Sequence, residues 1–110
     1  MNEPEIMWEG ASGQKYGYWI RSFYTNWKAA PGNYIYAKET NPGSRKWVAL
    51  YVGQTTNLSQ RLANHEKEAE AVSRGATHIH AHTSSADDDV RLAEERDLIA
   101  KLSPPCNDRL

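Results

Sequence analysis

Between Asn33 and Lys38 the side chains alternate, with Tyr34, Tyr36 and Lys38 on one side and Ile35 and Ala37 on the other. A period of two predicts a half-buried strand. Trp47 to Gly53 repeats the pattern: Val48, Leu50 and Val52 share one face, and Trp47, Ala49 and Tyr51 share the opposite one. Thr40-Asn41-Pro42-Gly43-Ser44 between the two runs is turn chemistry, so they predict an antiparallel hairpin with Tyr34 and Tyr51 on one side.

Beyond Gly53 the period lengthens. Leu58, Leu62, Ala69 and Val72 recur at helical spacing, after a cap at Thr55, Thr56 or Asn57 and before Gly75. This predicts one helix whose stripe also takes in His65 and, at its edge, Arg61. Thr77 to His82 predicts a third strand. A last helix is expected from Asp87 to Leu102, opened by Ser84, Ser85 and three aspartates that suit the helix N-terminal dipole, and ended by Pro104-Pro105. The fold class is therefore α+β, a small three-stranded antiparallel sheet flanked by helices in the order β-β-α-β-α. Residues 1–30 read as a coil-rich, aromatic-rich N-terminal extension packed on a domain formed by residues 31–110, with no internal repeat.

Composition narrows the class without deciding the function. A chain of 110 residues that is 39% hydrophobic and 25% charged fits one small soluble domain. Its longest apolar runs fall far short of the ~20 residues of a membrane span. Cys106 is the single cysteine, which excludes a cysteine-based zinc site and, with no signal peptide, points to the cytoplasm. The net charge of -1 conceals a basic middle: residues 1–9 sum to -3, residues 10–65 to +6 and residues 66–110 to -4. Such a stretch suits a polyanion, and equally a solvated basic face. Nine of the eleven aromatics lie between Trp8 and Tyr36. The run Tyr16 to Tyr24 mixes them with Arg21 as base-stacking platforms do, although core packing is the commoner role.

The candidate chemistry centres on Glu95. Leu92, Glu95, Ile99 and Leu102 fall at i, i+3, i+7 and i+10, which sets this carboxylate in an apolar stripe while Glu94 points outward. A carboxylate so placed costs several kcal/mol unless it pairs with a cation, is hydrogen-bonded or binds a metal. Either an ion pair with Arg61 or a divalent cation would satisfy it. Two tyrosines on one strand face, Arg61, His65 and Glu95 together make a phosphodiester-cleaving set: a guanidinium for phosphate oxygens, a carboxylate for a hard cation, and a phenol to orient or deprotonate water. His78, His80 and His82 alternate along one strand face, where two imidazoles could chelate zinc or nickel; they are read as an exposed face rather than a metal site.

Gly32-Asn33-Tyr34, Tyr51-Val52-Gly53, Gln54-Thr55-Thr56-Asn57-Leu58 with Arg61-Leu62 and His65, and Glu95 with Leu98-Ile99, Pro104 and Asn107, taken in order, resemble the GIY-YIG nuclease superfamily from about Pro31 to Asn107. The resemblance implies DNA hydrolysis with one Mg²⁺ or Mn²⁺ held by Glu95, Arg61 on the scissile phosphate, and Tyr51 or Tyr34 handling the water. It also implies a supporting His65, and Gly53 and Asn107 ordering the site from behind. Expected nucleic-acid contacts are Arg45, Lys46, Gln54 and Arg61, and a protein partner or a second copy of the chain would compensate for the lack of a separate DNA-recognition domain. The chain departs from the family at four points. Asn33 replaces an apolar residue, the 16 residues between Tyr34 and Tyr51 exceed the usual spacing, Gln54 stands where several repair members carry lysine, and Cys106 replaces an aromatic. A non-catalytic nucleic-acid-binding or partner-docking module with the same fold is the alternative reading.

Overall fold

The structure is a computed structural model and describes residues 3–107. Its elements are β1 (Ile6–Glu9), β2 (Lys15–Arg21), β3 (Gly32–Glu39), β4 (Trp47–Thr55), α1 (Leu58–Ala63), α2 (Glu68–Ser73), β5 (His78–Thr83) and α3 (Asp88–Leu102). The sheet has five strands, not three, in the order β1-β2-β5-β3-β4, and every neighbouring pair is antiparallel. The N-terminal segment, expected as a coil-rich extension, supplies the two further strands: β2 pairs with β5 through Trp19↔Ala81 and Ile20↔His80, and β1 folds back on β2. Trp19 sets a large apolar side chain on the face opposite Tyr16, Tyr18 and Ile20, so no apolar–polar alternation marks this strand. The turn between β1 and β2 is tied to α3, where the Asp97 carboxylate accepts from the Ser12 amide and hydroxyl and from the Tyr16 hydroxyl.

The β3–β4 hairpin forms as expected, but one residue breaks its alternation. Tyr36 faces Tyr51 and Ala37 faces Ala49, so Leu50 is the extra residue of a β-bulge. The bulge shifts the phase of β4. Ala49 packs with Ile35 and Val52 on one side of the sheet, whereas Leu50 and Tyr51 join Tyr34 and Tyr36 on the other. A strictly alternating β4 would have put Tyr51 beside Ala49; bulges near functional sites commonly re-aim a side chain in this way.

Helices cover both faces. Leu58 and Leu62 of α1 and Ala71 of α2 pack on Tyr34, Tyr36 and Ile79, and Leu98 of α3 packs on Trp8, Tyr18 and Ile35. The single helix expected after Gly53 is two. The Asn57 side chain caps α1 by accepting from the Gln60 amide, the backbone leaves helical geometry at Asn64, and α2 begins only at Glu68. Val72 is therefore turned to solvent, and His65 sits in the bend rather than one helical turn beyond Arg61.

In α3 the fully buried stripe is Arg91, Glu94 and Leu98; of the expected stripe, Ile99 and Leu102 pack half-buried against the same core, and Leu92 and Glu95 are half-buried. Glu94 is buried at 6% exposure, contrary to the outward position expected for it. Two charged residues occupy the inner face because the fold supplies them with partners, which an apolar stripe drawn from sequence cannot register. The histidine face of β5 is covered as well, by Trp8 and Trp47 against His80 and by Tyr18 and Glu94 against His82. His80 is fully buried, its Nδ1 accepting from Trp8 Nε1–H at 3.0 Å, and burial lowers its pKa to about 4.

Candidate active site

Tyr34, Tyr36, Tyr51 and His65 form one aromatic cluster with ring centroids 5.0 to 6.2 Å apart. β3 contributes Tyr34 and Tyr36, the bulged β4 contributes Tyr51, and the bend after α1 contributes His65. Gly53 makes the close packing possible: a Cβ there would lie 2.5 Å from Cζ of Tyr34 and 2.6 Å from its hydroxyl. Asn107 ties the same strand from the chain's C-terminal side. Its amide donates to the Val52 carbonyl and its oxygen accepts from the Val52 amide, both at 2.9 Å.

Hydrogen bonds set the direction of the proton chain. His65 Nδ1 accepts from the Lys67 amide at 3.0 Å, so the neutral ring inferred from this bond carries its proton on Nε2 and donates to the Tyr34 oxygen at 2.7 Å. Burial, followed by the Arg61 charge, lowers His65 to about 4, which keeps the ring neutral near pH 7. Burial raises the Tyr34 phenol well above its ordinary value and Tyr51 adds to this, while Arg61 acts in the opposite sense. Burial also raises Tyr51, with Glu95 contributing, whereas Arg61 and a hydrogen bond from Tyr34 favour its phenolate. Donors therefore run from His65 through Tyr34 towards Tyr51.

Arg61 lines an open cavity of about 360 Å³ together with Thr55, Gln60 and Asn64. Both its terminal nitrogens donate to Glu66, at 2.7 and 2.9 Å, and this guanidinium holds the exposed Glu66 carboxyl at about 2. The ion pair from Arg61 to Glu95 considered from sequence is absent; Glu66 takes its place. Glu95 is half-buried and, among the described residues, has neither a hydrogen bond nor an ion pair; burial raises its pKa. Its charge reaches Tyr51 because β4 is an edge strand that α3 packs against. Tyr36 is not among the site residues expected from sequence, although its place two positions after Tyr34 puts it on the same face. Its hydroxyl is buried without a partner among the described residues.

No family model matches the sequence, and no curated protein matches it. Solved structures do. The GIY-YIG N-terminal endonuclease domain of UvrC from Thermotoga maritima, bound to magnesium as its catalytic divalent cation, superposes with a TM-score of 0.58 at 21% identity, over 74% of this chain and 88% of that one. An asparagine-to-alanine mutant of the same domain, bound to its catalytic cation, gives 0.59 at 23% identity over 76% and 88%. The chain has the GIY-YIG fold. Within it, the polar departures from the usual pattern are satisfied. Asn33 is buried, but its amide donates to the Arg91 carbonyl and its oxygen accepts from the Ser84 hydroxyl. Gln54 accepts from Nε of Arg91, whose other nitrogens reach the Ser85 carbonyl and Asp88. Arg91 is 1% exposed, and nothing in its sequence context marks it as a core residue.

Arg45 and Lys46 stand apart from this GIY-YIG cluster, at the turn of the hairpin. Glu39 pairs with Trp47 at that end, three residues and roughly 10 Å along the strand from Tyr36. Among the described residues no three His, Cys, Asp or Glu side chains converge as a metal cage. One unpaired carboxylate whose charge acts on Tyr51 nonetheless fits a hard divalent cation that takes its remaining ligands from water and phosphate, as Mg²⁺ commonly does. No helix among the described residues is long and apolar enough to cross a membrane.

Proposed function

We propose that this chain is a metal-dependent endonuclease that hydrolyses DNA phosphodiester bonds. The observation that carries this reading is the pairing of an unpartnered, half-buried Glu95 with a proton chain that ends at Tyr51, beside Arg61. Glu95 would hold one divalent cation, Mg²⁺ or Mn²⁺, which when bound supplies positive charge for the phosphate oxygens. Arg61 leaves Glu66 to bind the scissile phosphate, where its fork matches two non-bridging oxygens and offsets the charge that grows on them. Tyr51, once its phenol proton has passed to solvent, orients the attacking water as a phenolate and receives its proton as the new O–P bond forms, while solvent supplies a proton to the departing oxygen. His65 does not take the proton of Tyr34. Its Nε2 already carries one, so it donates to Tyr34 and, through it, favours a phenolate at Tyr51.

Gly53 and Asn107 hold Tyr34 and β4 in register. Gln54, Arg45 and Lys46 are proposed nucleic-acid contacts, with Arg45 and Lys46 touching the backbone away from the cleaved bond. The test is nicking of supercoiled plasmid by the purified chain in Mg²⁺ or Mn²⁺, with Glu95→Gln, Arg61→Ala and an EDTA control alongside. Metal-dependent nicking lost in both variants is the expected result. An intact plasmid with wild-type protein, together with DNA retained at low salt, would instead establish a non-catalytic binding module.

A further inference from the structure

A polar-aromatic cavity of about 390 Å³ lies outside the catalytic cluster, between the end of β2, the segment from residue 22 to residue 30, and β5. Trp19, Arg21, Trp27, Lys28, Leu58 and His82 line it, and no acidic side chain does. Lys28 has no ion pair among the described residues. Arg21 lies over the Trp19 ring at 5.4 Å and bonds to Glu5 and the Ile20 carbonyl, both at 2.9 Å, on an exposed part of the surface. His82 donates from Nε2 to Glu94 and from Nδ1 to the Thr83 carbonyl, so its ring keeps both protons. The wall is fixed to the catalytic helix: the Leu58 amide donates to the Ala30 carbonyl at 2.9 Å and the Ser59 amide to the Lys28 carbonyl at 3.0 Å.

The floor of the cavity adjoins the proposed chemistry. A Cβ on Gly32 would meet Leu58 at 2.5 Å and the His82 carbonyl at 2.6 Å, and Tyr34 follows two residues later, roughly 7 Å along the strand. Tyr24, 95% exposed at the rim of this segment, adds a free aromatic face.

We infer that this cavity seats an unpaired nucleotide of the bound nucleic-acid strand, its base against Trp27 and its phosphate on Lys28 and Arg21. The inference rests on the nuclease reading for its purpose but not for its measurement. Indole surface and cationic side chains together are what a flexible single strand recognises, whereas a paired base keeps its faces inside the duplex stack.

The test is fluorescence anisotropy of a short fluorescein-labelled oligothymidylate, and of a duplex of equal length, with the intact chain in EDTA at low salt. Wild type should bind the single strand more tightly than the duplex. Trp27→Leu should weaken single-strand binding about tenfold, the scale of one stacked base. Lys28→Gln, an exposed change that leaves the Lys28 carbonyl in place, should weaken it severalfold and flatten the salt dependence by about 0.7 in slope. Circular dichroism confirms folding. Single-strand binding unaltered in both folded variants, or no binding by wild type, overturns the inference whatever the plasmid assay shows. An intact plasmid in Mg²⁺, with the Trp27 and Lys28 effects present, sinks the nuclease reading and leaves the nucleotide site standing.

Discussion

α3 carries two adjacent glutamates, and each acts on a tyrosine of the sheet. Glu94 accepts from the Tyr18 hydroxyl at 2.5 Å and from His82 at 2.7 Å, closing a buried triad in which every polar atom named is satisfied. Glu95, one residue on, acts on Tyr51 through its charge, yet its carboxylate has no partner among the described residues. The same residue types thus make two different things. Where the protein supplies all the partners, burial of charge holds the fold together. Where it withholds one, the cost of a half-buried carboxylate is left to be relieved by something from outside.

The largest expected effect separates the two glutamates by activity. Glu95→Gln removes the charge that would hold the cation and should lower plasmid nicking about 10³-fold, with thermal stability unchanged or slightly higher because an unpaired charge is gone. Glu94→Gln should do the reverse. It strips the counter-ion from His82 and should lower unfolding stability by about 3 kcal/mol in urea titrations, near the low end for a broken buried pair because the His82 side chain keeps 21% exposure. Residual nicking of the folded Glu94→Gln protein is expected; loss of nicking without loss of stability would place Glu94 in the site and erase the contrast.

Much of this site is legible in the sequence. Tyr34, Tyr51, Arg61, His65 and Glu95 lie in strong local patterns, and the hairpin and the capped last helix follow from period and turn chemistry. What the sequence conceals is physically consistent. The bulge at Leu50 is a two-against-one pairing that depends on both strands, so alternation along β4 alone cannot show which residues join Tyr51 on its face. Arg91 and Glu94 look solvent-facing because their partners Gln54, Ser85, Tyr18 and His82 lie outside α3. The bend at Asn64 is hidden because His65 stays buried at 7% exposure and so mimics a continuing apolar stripe. β1 and β2 escape local patterns because their packing depends on β5 and α3.

The histidines respond to pH in opposite senses, His65 and His80 in one and His82 in the other. His65 and His80 titrate at about 4 when folded, against an ordinary value of 6.5, so the unfolded chain takes up their protons first as pH falls. Stability should therefore drop between pH 6.5 and 4, on the order of 3 kcal/mol for each histidine at the end of that range. For His82, burial works against the charge but Glu94 outweighs it and the pKa is raised. Its contribution is complete below pH 6.5 and is lost as pH rises through the folded value. Urea midpoints measured from pH 4 to 9 should peak in between. His82→Gln should flatten the alkaline limb alone, and a limb unaltered by that change would remove the imidazolium from the Glu94 triad.

The smallest effect probes how the open region is kept in check. Glu66 holds both terminal nitrogens of Arg61, yet its own side chain is 65% exposed, so the pair is solvent-screened and worth little to the fold. A phosphate must displace it. Glu66→Gln should leave the urea midpoint nearly unmoved while tightening DNA binding in EDTA by about threefold, the scale of one exposed ion pair. Salt should shrink the gain, since at 0.15 M the screening length is about 8 Å. Weaker binding by Glu66→Gln would mean that the carboxylate aims the guanidinium rather than competing for it, and Arg61 would then belong with the satisfied cluster around Glu94 rather than with the open one around Glu95.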